Sequence, residues 1–340
     1  MTNDPLVSIV INNYNYADFL SKAINSALKQ TYNNIEIIVV DDGSTDHSRS
    51  LIESYGEKII PVLKENGGHA STFNAGFGVS KGEIIFFLDA DDIFELNKVE
   101  KIVKVFTSHQ DVGWCFNALK LFDSKTAETI AVTRAFPDKN EDTSGIYDFR
   151  EAIKQGQLRF YPPSTSGLSF KRSLLAQILP MPEALQMAAD RYLVNAAILL
   201  GIGYFAHTPL TNQCIHGNNE GTLQNDRIAQ KKCGRNEMFT AYFLHKKFPQ
   251  GWKFSHRTFA RGWGTARRYG FISDEAKQIQ QQYLISVSWW EKAIILMISW
   301  YQNRPWKKVN LYRSWPPSKK SFPLTEGTAR NGSLSYERKL

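Results

Sequence analysis

Ile84-Ile85-Phe86-Phe87-Leu88-Asp89-Ala90-Asp91-Asp92 is the stretch on which the fold turns. Five apolar residues run without a polar break and stop at three carboxylates within four positions. A strand with one wet face alternates apolar and polar residues, so an unbroken run implies burial on both faces, as in a parallel sheet covered by helices. Working outward, Val7 to Asn12 and Ile35 to Val40 have the same character, and Ile59 to Leu63 is predicted as a further strand. Between these runs, Asp18 to Lys29 carries Phe19, Leu20, Ala23, Ile24, Ala27 and Leu28 at helical spacing. Asp46 is placed to cap a helix through Tyr55, while His69 to Val79 and about Asn97 to Thr107 complete the alternation. The pattern predicts an α/β fold, Rossmann-like, with a mainly parallel sheet covered by helices.

Ligands of open sheets bind beyond the carboxyl ends of the strands. Three polar clusters follow three of the predicted strands: Asn12 to Asn15, Asp41 to Ser44, and Asp89 to Asp92. Their convergence on one rim argues more strongly than any one of them. Three crowded carboxylates repel one another, and a cation among them relieves this. Carboxylate oxygens suit magnesium or manganese, which keep waters and bridge substrate phosphates. An Asp-rich turn that caps the next helix is the plainer explanation of the same residues. In the second cluster, Gly43, Ser44 and Asp46 read as a turn and a cap, whereas Asp42 is a candidate ligand contact. Gly67-Gly68-His69 opens a predicted helix and fits either an anion site or a simple helix entry.

Beyond this half the pattern changes. Val112 to about Thr133 is strand-like with turns, and Asp138 to Ser144 is a polar loop. Phe160 to Phe170 looks like an irregular binding loop, Ala188 to Leu200 like a helix, and Tyr204 to Ile215 like one or two strands. After about Asn225 the chain reads as helical and basic. The expected organisation is a first α/β half at 1–110, a second half at 111–224, and a helical C-terminal extension at 225–340.

A hydrophobic fraction of 42% in 340 residues excludes a disordered chain. Three widely spaced cysteines give no disulfide framework and no zinc motif. Met1 to Pro5 lacks a secretory pattern, and no stretch is apolar for the roughly 18 residues that span a bilayer. A cytoplasmic protein is therefore expected, either free or peripheral on the inner face of a membrane. The net charge of +8 is modest for a nucleic-acid binder, so no nucleic-acid partner is expected. Much of the excess lies in the tail, in residues such as Arg304, Lys307, Lys308, Lys319 and Lys320. Leu284 to Tyr301 sets Trp289, Trp290, Trp300 and Tyr301 around an apolar centre. It fits either an interfacial helix or one packed on the domain or a second subunit. The oligomeric state is left open.

Val7-Ser8-Ile9-Val10-Ile11-Asn12-Asn13-Tyr14-Asn15, Gln30-Thr31-Tyr32 and Val39-Val40-Asp41-Asp42-Gly43-Ser44-Thr45-Asp46 together resemble the opening of a family 2 glycosyltransferase. Asn66-Gly67-Gly68, Asn74-Ala75-Gly76, Lys81-Gly82-Glu83 and Leu88-Asp89-Ala90-Asp91-Asp92 continue the resemblance in order, densely over residues 7 to 110 and patchily to about 222. The resemblance implies a GT-A fold, an inverting mechanism and an NDP-sugar donor, most simply a UDP-sugar. It assigns Asn12 and Tyr14 to the nucleoside, Asp42 to the base, and Asp91 with Asp89 and Asp92 to ribose, diphosphate and a divalent Mn2+ or Mg2+. Ser166-Gly167-Leu168-Ser169-Phe170-Lys171-Arg172 is similar to the acceptor-side strand. Ala188-Ala189-Asp190-Arg191-Tyr192-Leu193 is similar to the segment that carries the catalytic base, with Ala189 where the family usually has Glu. Asp190 is the candidate base, positioned to take a proton from the acceptor hydroxyl; the alternative is a helix-surface carboxylate paired with Arg191 or Arg172. His216 is similar to a His that joins metal or diphosphate in some members, although a lone His is more often structural. His47, His69, His109 and His207 are read as structural.

The expected activity is transfer of one sugar to a hydroxyl of a glycan or lipid-linked saccharide, in cell-surface polysaccharide synthesis. The Gln-x-x-Arg-Trp motif of processive members is absent, because Gln302, Arg304 and Trp306 do not have its spacing. Two alternatives stand beside it: transfer to polyprenyl phosphate, and a non-catalytic nucleotide-sugar binder, which Ala189 keeps open.

Overall fold

A computed structural model describes residues 4–133, 144–157, 163–187, 189–216, 219, 227–271 and 273–302. The first half alternates as its sequence demands: β1 (Val7–Asn13), α1 (Ala17–Leu28), β2 (Ile35–Asp42), α2 (Ser48–Ser54), β3 (Ile60–Lys64), α3 (His69–Val79) and β4 (Ile84–Asp89). Next come β5 (Ile93–Phe94), α4 (Lys98–Ser108), the long β6 (Val112–Asp123) and its hairpin partner β7 (Thr129–Val132). Then β8 (Gly145–Tyr147), α5 (Arg150–Lys154), β9 (Leu168–Lys171), α6 (Arg172–Ile178), α7 (Ala189–Leu200) and β10 (Ile202–Ile215) close the sheet domain. Helices α8 (Arg227–Lys247), α9 (Trp252–Tyr269), α10 (Asp274–Ser286) and α11 (Trp289–Gln302) form the C-terminal region.

Among the described residues, ten strands make one sheet in the order β3-β2-β1-β4-β9-β6-β10-β5, with β7 beside β6 and β8 beside β10. Strands β1 to β4 are mutually parallel, as their unbroken apolar runs predict. Past β4 the sheet is mixed, since β9 runs antiparallel to both β4 and β6, while β6 and β10 are parallel. Leu168 to Phe170, set by composition in an irregular loop and by the resemblance in the acceptor-side strand, is a central strand, preceded by a turn at Thr165–Gly167. Tyr204 to Ile215 belongs to one strand, with register shifts around Pro209 that spare the ladder an N–H which proline lacks. Phe160 to Pro162, the loop at 138–143 and the tail at 303–340 lie outside the described residues.

Alternate residues of each central strand enter two different cores. Val7, Ile9 and Ile11 of β1, with Ile84, Phe86 and Leu88 of β4, face α1 and α4 through Leu20, Ile24, Val99 and Ile102. Val10, Ile85 and Phe87 point the other way, towards Phe73 of α3 and Leu193 of α7. That second core continues into the helical region through Met238, Phe259, Tyr283 and Ile295, so the extension shares a core with the sheet domain. Strand β3 is the exposed edge, where Pro61 needs no partner on its open side.

One glycine fixes how closely α3 approaches the sheet. A Cβ at Gly76 would lie 2.3 Å from Val10 Cγ1 and 3.2 Å from Val40 Cγ2, both on buried strands that have nowhere to retreat. Gly76→Val is expected to destabilise the protein by about 1–3 kcal/mol through overpacking. A lowered urea midpoint with unchanged slope measures this; an unchanged midpoint would show that α3 can lift off the sheet.

Candidate functional site

Parallel pairing brings the ends of β1, β2 and β4 side by side: Asn12 pairs in register with Val40 and with Asp89, and Asn13 with Asp41. The turn after β1 is tied to the turn after β2. Asn13 Nδ2 donates to Asp41 Oδ1 (2.9 Å) and to Ser44 Oγ (3.1 Å), and Asn15 Oδ1 accepts from Thr45 N (2.7 Å). Asn15 sits at φ 58°, which asparagine tolerates. Asp46 behaves as a cap twice over, accepting from Ser48 N of α2 and from Ala17 N of α1, both at 3.0 Å. Gly43 turns at φ 77°, and a Cβ there would meet Asn66 N at 2.6 Å. Asp41 is fully buried; burial pushes its pKa up, but hydrogen bonds from Ser44, Arg49 and Asn13 outweigh this and hold it below the usual carboxylate value.

Asp42 does not present the open carboxylate that its expected contact with the base requires. It is 2% exposed, and its oxygens accept from Gly67 N (2.9 Å), Gly68 N (2.8 Å) and Lys64 Nζ (2.5 Å). The anion held by the Gly67-Gly68 turn is therefore Asp42 itself, which corrects the reading of that turn as a site for an external anion. By contrast, Asn12 is buried with neither side-chain polar atom hydrogen-bonded, and Tyr14 is half exposed just beyond it. A buried amide with no partner in the protein, two residues before a half-exposed tyrosine, could receive a polar ligand.

The carboxylates after β4 separate into distinct places. Asp91 Oδ2 lies 3.0 Å from His216 Nε2 and accepts from Asn219 Nδ2 at 3.1 Å. His216 is stacked on Phe19 and edge-on to Tyr16, which fixes its ring at the rim. Asp89 is partly open, with His69 Nε2 at 3.7 Å from Oδ1 and its N–H given to Ser166 Oγ at 3.0 Å. Enclosure by protein pushes the Asp89 pKa up; His69 opposes this, and the charges of Asp91 and Asp190 add to it.

Asp92 departs from its expected donor contact. It is 1% exposed, and its Oδ1 accepts from Cys214 N at 3.0 Å, so it lies beneath the rim. Burial first, then the charges of Asp91 and Asp89, raise its pKa well above the usual value.

Lys98, which the sequence reading passed over as part of an ordinary helix start, is fully buried under the same turn. Its Nζ donates to the Ser166 carbonyl (2.5 Å) and to Thr211 Oγ1 (2.8 Å), and stands 3.7 Å from the Phe94 ring centre. Burial is the largest cause lowering its pKa, to well below the usual lysine value. The side chain joins α4, the 165–167 turn and β10 beneath the acidic rim. Lys98→Met fills the space but removes both hydrogen bonds that Nζ donates, while Thr211 Oγ1 still donates to the Ser166 carbonyl (2.9 Å), at an expected cost of about 1–3 kcal/mol. Denaturant unfolding reads the loss; stability within about 0.5 kcal/mol of wild type would show that the lysine is no strut.

Asp190 stands in the first turn of α7, with its Oδ1 accepting from Arg191 N at 2.8 Å. Neither arginine takes it as an ion-pair partner among the described residues. Arg191 reaches Glu237 at 3.8 Å, and Arg172 is bound to the Gly82 carbonyl and Ser80 Oγ. Ala189 is fully buried in the core, so the departure from the family's usual Glu removes no group from the rim. Ala188 lies outside the described residues, as do Gly217 and Asn218 beside His216. His69, Ser166, Thr211 and Asn219 are brought to the site by strand and helix ends that are remote in sequence. The sequence sets Ser166 in the acceptor-side segment and Asn219 close after His216, reads His69 as structural, and singles out nothing at Thr211.

The donor set fits a hard divalent cation. Asp91 Oδ2 and His216 Nε2 lie 3.0 Å apart, and the charge of Asp91 acts on Asp89. Among the described residues no three His, Cys, Asp or Glu side chains come together as a metal-binding group, so such an ion would take only part of its shell from these side chains. Magnesium and manganese commonly use one or two carboxylates and complete their shell with water and phosphate oxygens.

A sheet parallel from β3 through β4 and mixed beyond, with helices against it and a helical C-terminal region, is of the GT-A class. The chain belongs to glycosyl transferase family 2, whose profile matches residues 8–175. An uncharacterized glycosyltransferase of Nostoc sp. is 37% identical over 218 residues, covering 63% of this chain and 66% of the relative. One of Rickettsia typhi is 49% identical over 104 residues, 31% of this chain and 33% of its own. The chain thus spans from about a third to just under two thirds of the length of these curated relatives. Among solved structures, S. aureus TarS 1-349 in complex with UDP aligns with a TM-score of 0.54 at 16% identity, over 86% of this chain and 80% of that chain. At that identity the likeness is one of fold.

Proposed function

We propose that the protein is an inverting, metal-dependent glycosyltransferase that moves one sugar from an NDP-sugar to a hydroxyl of a glycan or lipid-linked saccharide. The observation that carries the proposal is the meeting of Asp91, His216, Asp89 and Asp190 at the carboxyl end of one parallel sheet, above the unpartnered amide of Asn12. In this reading residues 1–110 hold the donor and 111–224 the acceptor. Asn12 and Tyr14 receive the nucleoside, and Asp42 acts by shaping the 66–68 turn against it. TarS was solved with UDP, and we extend that nucleotide to this chain as part of the proposal.

Asp91 and His216, with Asp89, would hold Mn2+ or Mg2+. Such an ion, when bound, neutralises charge on the diphosphate as it leaves. Asp190 takes the proton of the acceptor hydroxyl as that oxygen attacks the anomeric carbon from the face opposite the diphosphate. The bond to the diphosphate breaks with inversion, and the proton remains on Oδ2, the oxygen not engaged by Arg191 N. Among the described residues no ion pair ties this carboxylate to an arginine, although the Arg191 charge acts on it, and we take this as favouring transfer over the reading as a non-catalytic binder.

A panel of NDP-sugars with saccharide, lipid-linked and polyprenyl-phosphate acceptors tests the proposal, with NDP release and product mass followed together. Transfer to a saccharide hydroxyl with an inverted anomeric centre is the expected result. Transfer only to polyprenyl phosphate would move the acceptor class, and tight donor binding without any NDP release would leave a binding protein.

A further inference from the structure

Helix α11 is turned inside out. Its polar side chains face the protein: Glu291 Oε2 accepts from Ser288 N (2.7 Å) and Oγ (2.6 Å), Glu291 Oε1 lies 3.2 Å from His256 Nε2, and Ser299 is fully buried. Eight exposed positions between 289 and 301 hold no charged residue. At the helical period they cover an arc of about 160°. Trp289 is 80% and Met297 64% exposed, Leu296 and Trp300 stand beside them, and Ile285 extends the face onto the end of α10 at 79%. A water-facing helix has the opposite arrangement, so this face is built for an apolar phase or a partner.

Among the described residues no helix is long and apolar enough to cross a membrane, whereas an amphipathic helix with tryptophans on its apolar side lies in the plane of the bilayer interface. Charge selects among the occupants. Residues 303–340 follow α11 directly and contain nine Lys or Arg against two Glu, so this segment carries +7 of the chain's +8. Two copies joined through α11 would bring two such segments together, and they would repel. An anionic lipid surface accepts both the aromatic face and the basic segment.

We propose that α11 docks this chain on an anionic membrane surface, its apolar face in the interfacial layer. The inference uses residues outside the acidic rim and stands whether or not sugar transfer is found. Co-sedimentation of the full chain with vesicles of phosphatidylcholine, alone or mixed with phosphatidylglycerol, tests it. Binding to the mixed vesicles is expected to be at least about tenfold stronger, and to weaken as salt screens the basic segment. The double substitution Leu296→Glu with Met297→Glu, at two exposed positions, is expected to cut that binding at least about tenfold with an unchanged melting curve. The proposal is overturned by equal binding to neutral vesicles, or by undiminished binding of the double variant. It is also overturned if light scattering shows a dimer that the double variant makes monomeric while neither protein binds vesicles, which would assign the face to a second copy.

Discussion

Asp91→Asn is expected to lower sugar transfer by about a thousandfold or more, with no loss of stability. The two halves of this result come from the same geometry. Asp91 Oδ2 is shared by His216 Nε2 and Asn219 Nδ2, and an asparagine oxygen can still accept from both groups. The mutation also removes a negative charge that acts unfavourably on Asp89 and Asp92. The unliganded fold therefore keeps its hydrogen bonds and loses a repulsion. In the proposed reaction the same oxygen is a ligand of the cation that neutralises the diphosphate, and loss of electrostatic stabilisation of that size costs about 4 kcal/mol in the barrier. Initial rates at saturating donor, with a melting curve for each protein, measure both quantities. A variant that is unfolded, or one that turns over within about tenfold of wild type, would remove Asp91 from this role.

Asp190→Asn is expected to reduce kcat by about 10²- to 10⁴-fold while donor affinity stays within about twofold, the pattern of a lost general base. The hydrogen bond from Arg191 N survives, since asparagine presents the same oxygen to it, so the start of α7 is preserved. The neighbouring position gives a control. Ala189 is fully buried, and restoring the family's usual residue by Ala189→Glu would force a carboxylate into the core. That substitution is expected to destabilise the protein without raising activity. Equal turnover by wild type and Asp190→Asn would sink Asp190 as the base.

Although the edge strand β3 is largely exposed and shows only a short apolar run, the parallel half of the fold was legible because β1, β2 and β4 are buried on both faces and the helices between them on one. Their periodicities are therefore strong, from Val7 to Leu88, and the acidic turns fall at strand ends by construction. The mixed half was less so. β9 is four residues long and stands between β4 and β6 with Ser169 buried in its centre, a pattern too short and too polar to separate from a loop. The site divides along the same line. Asp89 and Asp91 could be picked out because crowded carboxylates after an apolar run have few structural explanations. Asp42 and Asp92 belong to the same visible clusters, yet one is consumed by the backbone of the Gly67-Gly68 turn and the other by Cys214 N. Local sequence records the carboxylate but not the distant donor that occupies it. Lys98 was hidden for the converse reason. A lysine in the first turn of a helix looks solvated, and only the folding of β10 and the 165–167 turn over it makes it a buried strut.

The central claim is that the rim formed by Asn12, Asp89, Asp91 and His216 is a metal-assisted nucleotide-sugar site. Thermal shift of the full chain against a panel of NDP-sugars, each with and without manganese, tests this most directly. One nucleotide class is predicted to raise the melting temperature only when the metal is present, and Asp91→Asn is predicted to abolish that rise. No shift with any nucleotide sugar, or a shift of equal size without metal and in Asp91→Asn, would contradict it.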